Sequence, residues 1–199
     1  MRSVAIVFDT VSGSTGEMGE IIRDELRDEF AIAVVPVAEA TTLSGFDAVV
    51  LGSPMRFGGF TSRMRRFIER NGAELARKKV ACFFSVLYVV RIAEEKWPEP
   101  LPYVDPGLAL STIPRKKATG MDRTHSLAYY DRQLRKRTPG IAPVSMAYLK
   151  GRLVLRELPL LLRLFMRLVT ALTAKEQEGE FLDPASVRRW AAELRRALA

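Results

Sequence analysis

Residues 10–15 read Thr-Val-Ser-Gly-Ser-Thr and follow the apolar run Ile6-Val7-Phe8. Thr10, Ser12, Ser14 and Thr15 carry hydroxyls that can donate to the oxygens of an anion, and Gly13 lets the backbone close around it without a Cβ in the way. If a strand ends before this stretch and a helix begins after it, the helix's first amide N–H groups and its positive dipole end converge on the same point. A phosphate fits that chemistry. No lysine or arginine lies in the loop, and neither Gly-x4-Gly-Lys-Ser/Thr nor Gly-x-Gly-x-x-Gly is present. A neutral, hydroxyl-lined loop suits one terminal monophosphate. The plainer alternative is a serine-rich turn that only caps a helix.

The elements that must hold this loop follow from apolar periodicity. Strands are predicted at Val4–Phe8, Ile32–Val37, Asp47–Leu51, Val80–Val86 and around Val144–Leu149. Helices are predicted over Gly16–Phe30, Thr61–Leu75, Asp122–Arg137 and Asp183–Leu198, the last with Asp183 as N-cap and Pro184 in its first turn. Continuous rather than alternating apolar strands imply burial on both faces, hence a parallel sheet with helices on each side. The expected fold is α/β, a single doubly wound domain over 1–199 with a five-stranded parallel sheet in order 2-1-3-4-5. A proline-rich excursion near 93–121 interrupts the pattern. Cys82 and His125 are the single cysteine and histidine, so a disulfide within the chain and a Cys/His metal cluster are both excluded.

Thr10-x-Ser12-Gly13-x-Thr15 after an apolar strand resembles the phosphate-binding signature of flavodoxins, which implies FMN held by Thr10, Val11, Ser12, Gly13, Ser14 and Thr15. A receiver-domain reading fails, because Gly52-Ser53 follows the third strand where that family needs an aspartate. Two further loops would then meet the flavin ring at the carboxyl edge of the sheet. The first holds Ser53, Pro54, Met55, Arg56, Phe57 and Gly58; the second holds Ser85, Val86, Leu87 and Tyr88. Tyr88 is the candidate for the outer ring face. Arg56 is the candidate catalytic residue, balancing a negative reduced flavin or meeting a substrate carboxylate. Ordinary core packing is the competing reading for Phe57 and Tyr88. Residues 52–58, Gly-Ser-Pro-Met-Arg-Phe-Gly, and 83–86, Phe-Phe-Ser-Val, are similar to the flavodoxin-type, quinone-dependent protoporphyrinogen oxidases, and the likeness continues through Tyr148-Leu149-Lys150-Gly151-Arg152. The resemblance implies an FMN-dependent oxidoreductase that moves electrons from a tetrapyrrole substrate to a quinone. Leu87 stands where a polar residue is expected, and the 93–121 insertion is longer than that family's.

The net charge is +8 and unevenly spread: residues 1–52 carry three basic and nine acidic side chains, residues 132–172 nine basic and one acidic. Within the predicted apolar helix near 153–172, Arg152, Arg156, Arg163, Arg167 and Thr170 fall on a stripe about 60° wide at 100° per residue. Such a helix suits an anionic membrane interface, a buried position against the sheet, or the contact of a homo-oligomer. Its length of 15 residues from Leu158 to Leu172, about 22 Å, is short of the ~30 Å hydrocarbon core. Nucleic acid is disfavoured, since the basic residues flank leucines and not stacking aromatics. The N-terminal apolar run breaks at Asp9, too short for a secretion signal, so the expected place is cytoplasmic, peripheral on the inner face of the membrane. Two other readings remain: a flavodoxin-like electron carrier without its own substrate, against which the positive charge argues, and a flavin-free interaction module.

Overall fold

The computed structural model describes residues 1–56, 58–153 and 179–199. In chain order the elements are β1 (Arg2–Phe8), α1 (Ser14–Leu26), β2 (Phe30–Pro36), β3 (Ala48–Pro54), α2 (Ser62–Arg70), α3 (Gly72–Leu75) and β4 (Lys79–Val86). There follow β5 (Arg91–Ile92), β6 (Tyr103–Val104), β7 (Thr112–Ile113), α4 (Gly120–Thr124), α5 (Leu127–Arg137), β8 (Ser145–Lys150), β9 (Arg152–Leu153), β10 (Gly179–Glu180) and α6 (Pro184–Leu198).

The main sheet runs β2-β1-β3-β4-β8-β6, parallel throughout. Its first five strands take the expected doubly wound order. The sixth, β6, comes from the proline-rich excursion and corrects the five-strand expectation. Two residues have no readable period; they join the sheet because Asp105, 1% exposed, accepts hydrogen bonds from Lys150 N and Gly107 N at 3.0 and 2.8 Å. That carboxylate fastens the excursion to the end of β8.

Local chemistry moves several predicted boundaries. Phe30, assigned to the first helix by period, opens β2 instead. The helix predicted at 61–75 is divided at Asn71, whose side chain donates to Phe67 O and closes α2. The one predicted at 122–137 divides at His125, because Ser126 caps α5 by accepting from Tyr129 N. Arg152 and Leu153, placed at the head of an apolar helix, form β9 and pair antiparallel with β10. The rest of that predicted helix, and Phe57, lie outside the described residues. Among those described, no helix is long and apolar enough to cross a membrane.

Two apolar layers flank the sheet. One gathers α1 and α6 over Val4, Ile6, Val50 and Phe83; the other gathers α2 and α5 over Leu51, Phe84 and Tyr148. Trp190 of α6 is fully buried 5.8 Å from Phe83 and donates its indole N–H to Ser145 Oγ at 3.1 Å. Gly52 sits beneath Phe83, so a Cβ there would run into the ring. Gly52→Ala is therefore expected to cost about 2 kcal/mol in a chemical melt, the overpacking of a closed core. An unchanged midpoint would mean that Phe83 swings aside.

Candidate cofactor-binding site

Strand order reverses between β1 and β3, so the loops after β1, β3 and β4 meet at the carboxyl edge of the sheet, where open α/β sheets take their ligands. The loop after β1 runs into α1 through Gly13, whose φ of 79° is a conformation that favours glycine. Among the described residues no side chain caps α1; Gly13 O accepts the Gly16 and Glu17 amides at 2.9 and 3.2 Å. The hydroxyls of Thr10 and Thr15 are buried without a partner among the described residues, and Thr15 is 0% exposed. Such groups are rare in folded chains and ask for a ligand or a solvent partner. The donor set of hydroxyls and free helix amides matches a phosphate monoester, so the residues present fit the phosphate of FMN.

Asp9, 4% exposed, fixes the loop from behind. It accepts from Thr10 N at 3.0 Å and from Thr61 Oγ1 at 2.5 Å, and pairs with Arg63 Nη2 at 2.9 Å. Since Thr61 is the N-cap of α2, this one carboxylate ties the first loop to the second. Ser53, fully buried, accepts from Thr61 N at 3.2 Å and completes the join.

The second and third loops are also tied together. Met55 N donates to Ser85 O at 3.0 Å, and Arg56 and Gly59 exchange backbone bonds across a tight turn with Gly58 at φ 80°. The Met55 and Arg56 amides are thus used within the protein. The turn is pinned under α5: a Cβ on Gly58 would lie 2.9 Å from both Tyr129 Cε1 and Gln133 Cγ. Pro54, Met55 and Arg56 are half-buried, Val86 is buried, and Leu87 is 37% exposed. Ser85 approaches the first loop, for a Cβ on Gly151 would overlap Ser85 Oγ and come within 3.3 Å of Ser14 Oγ. Ser14, Ser85 and Gly151 therefore crowd one spot.

Tyr88 is held by α4, which follows the excursion. Its hydroxyl donates to Asp122 Oδ1 at 2.6 Å, and its ring lies 5.7 Å from that of His125. Burial, and then the Asp122 bond, push the Tyr88 phenol up to about 12, while the bonds from Tyr88 and Thr119 hold Asp122 below the usual carboxylate range. Tyr88's contribution to stability is complete below its ordinary value of about 10 and lost as pH rises through about 12; Asp122's is complete above about 4 and lost as pH falls through its lowered value. Tyr88→Phe should therefore lower the melting temperature by a few degrees at neutral pH and shrink the alkaline step of a pH–stability curve, the rest of which belongs to the buried Tyr130, Tyr148 and Cys82, whose proton affinities burial also raises. A wild-type curve flat from pH 9 to about 12 would refute the assignment.

Three residues take a place at the site that sequence reasoning did not give them: Asp9 as anchor, Gly151, and Arg152. Arg152 Nη1 donates to Ser12 O at 3.2 Å and to Glu17 Oε1 at 2.9 Å, its Nη2 to Glu17 Oε2 at 3.0 Å, and its Nε to Glu180. These partners hold its guanidinium charged, raising its already high proton affinity. The available signal was position, since Gly151-Arg152 directly follows a predicted parallel strand and so falls at the ligand-bearing edge.

A doubly wound α/β sheet with an uncapped, hydroxyl-lined helix N-terminus at its switch point has the arrangement in which open α/β folds take phosphorylated ligands. The flavodoxin domain family model matches residues 5–179, and the chain belongs to that family. It is 28% identical over 97 residues to the protoporphyrinogen IX dehydrogenase [quinone] of Escherichia coli (strain K12), across 47% of this chain and 53% of that one. It is 26% identical over 100 residues to the NAD(P)H dehydrogenase (quinone) of Archaeoglobus fulgidus, across 36% of this chain and 52% of that one. The matches span about half the length of these curated relatives. A short-chain flavodoxin associated with a PDU bacterial microcompartment superposes over the full length of both chains with a TM-score of 0.51 at 12% identity, a likeness of fold.

Proposed function

We propose that this chain is an FMN-dependent oxidoreductase that delivers electrons to a quinone. The observation that carries the reading is the cradle at the start of α1, where the buried Thr15 hydroxyl has no partner among the described residues and the loop supplies no cation of its own. Bound FMN supplies the redox couple; the protein orients it and shapes its electrostatics. Thr10, Ser12, Ser14 and Thr15, with the backbone of Val11 and Gly13, hold the phosphate. With the Met55 and Arg56 amides used internally, the ring edge falls to Gly58 and to the Leu87-Tyr88 segment, and Tyr88 covers its outer face. Arg56 balances a negative reduced flavin or meets a substrate carboxylate.

The names of both relatives include a quinone, which supports that acceptor. The likeness of residues 52–58 and 83–86 to the protoporphyrinogen oxidases favours a reduced tetrapyrrole as electron donor. The exposed bases Arg115, Lys116, Lys117, Arg132 and Lys136 suit an anionic membrane surface holding a lipid quinone.

The decisive experiment takes the purified chain with added FMN, records its visible spectrum, and follows anaerobic turnover of protoporphyrinogen against NADH with a soluble quinone. Flavin uptake and tetrapyrrole-dependent quinone reduction are expected. A protein that takes up no FMN overturns the reading, and uptake without turnover of either donor assigns an electron carrier. Pelleting with phosphatidylglycerol vesicles, lost at about 0.5 M salt, is the expected sign of the basic surface. Equal recovery with neutral vesicles would argue against it.

A further inference from the structure

The loop over 10–15 has no positive charge of its own, yet the fold brings one to it from 140 residues away, at Ser12 O. Arg152 reaches both sides of the start of α1: Ser12 O lies just before Gly13, and Glu17 one turn into the helix. Its Nη1 stands 3.6 Å from the point a Cβ on Gly13 would occupy, against the lip of the cradle. Two carboxylates share this one cation, for Glu180 pairs with Nε across the β9–β10 ladder. Glu17, Glu180 and Arg152 sum to one negative charge at the place where a phosphate carrying up to two would sit. Without Arg152 the sum is two negative charges, and repulsion then opposes the helix dipole.

Resting on the FMN reading, we infer that Arg152 is the specificity-determining charge of the site, which makes it select a phosphorylated over an unphosphorylated flavin. Of the five guanidinium N–H groups, the one on Nε, both on Nη1 and one on Nη2 are engaged by Glu180, Ser12 O and Glu17, so Arg152 acts on an oxyanion at the loop through its charge, with a single N–H left on Nη2. Its side chain is 25% exposed, so salt screens it only in part. The bland alternative is a clamp that merely staples β9 and β10 to α1.

The two roles separate by comparing FMN with riboflavin, which share the ring and differ in the phosphate. In fluorescence-quenching titrations, Arg152→Ala is expected to weaken FMN about tenfold or more while riboflavin affinity changes less than about twofold, and to flatten the salt dependence of FMN binding. Arg152→Lys, which keeps the charge but loses the fork, should recover part of the difference. Glu17→Gln, removing a competing carboxylate, should tighten FMN and leave riboflavin unchanged. If Arg152→Ala fails to fold by circular dichroism, the Lys and Gln variants carry the same comparison. Equal weakening of both flavins, or unchanged FMN binding, overturns the inference and leaves the FMN reading intact. A wild-type chain that binds neither flavin overturns both.

Discussion

Thr15→Val is expected to abolish most flavin binding while leaving the protein as stable as before, or more so. Valine matches threonine in shape and removes only the hydroxyl. That hydroxyl is fully buried and has no partner among the described residues, which carry an unsatisfied polar group there, at about 1–3 kcal/mol. A hydrogen bond to a phosphate oxygen is charge-assisted, and its loss corresponds to about a hundredfold in FMN affinity. The two effects have opposite sign at one residue, which is the mark of a group kept for a ligand. Calorimetry of the apo protein and a flavin titration measure them separately. A variant that melts earlier and binds FMN normally would show that Thr15 serves packing alone, and the phosphate reading would lose its main support.

Asp9→Ala is expected to be the most damaging change at the site for the fold itself. The carboxylate is buried, and its loss strands Thr10 N and Thr61 Oγ1 together. Arg63 is more than half exposed, so its share of the pair is small and water replaces it. The buried hydrogen bonds carry the rest, for a total near ~3 kcal/mol in chemical denaturation. Because Asp9 also joins the first loop to the N-cap of α2, flavin affinity should fall with stability. Asp9→Asn keeps one acceptor and should lose about half as much. If alanine costs under about 1 kcal/mol, the loops are held by the strands alone, and Asp9 is not their anchor.

The hydroxyl-rich loop between β1 and α1 was legible in the sequence because its geometry is local: hydroxyls, a glycine and a following helix are neighbours in the chain, and a strand-loop-helix unit brings them together without help. The first five strands were legible for a similar reason, since burial on both faces demands continuous apolar runs such as Ala48-Val49-Val50-Leu51. The edge strand β6 was not, because Tyr103-Val104 has no pattern of its own and depends on Asp105 meeting Lys150 N. Nor was the start of the segment after β8. Helical periodicity made Arg152 one member of a polar stripe, whereas pairing with β10 makes it a strand residue aimed at α1.

From the amino-acid order alone came the doubly wound class, a neutral, hydroxyl-lined loop at the start of the first helix, and the location of the basic excess over 132–172. Only the tertiary structure decided that the loop is not electrostatically alone. The charge of a site is summed over everything within a few ångströms, and Arg152 and Glu180 reach that distance through sheet pairing that no local pattern encodes. Tyr88 follows the same logic. Its place at the end of β4 is read from the chain, but its bond to Asp122 exists because the excursion folds back over the sheet edge.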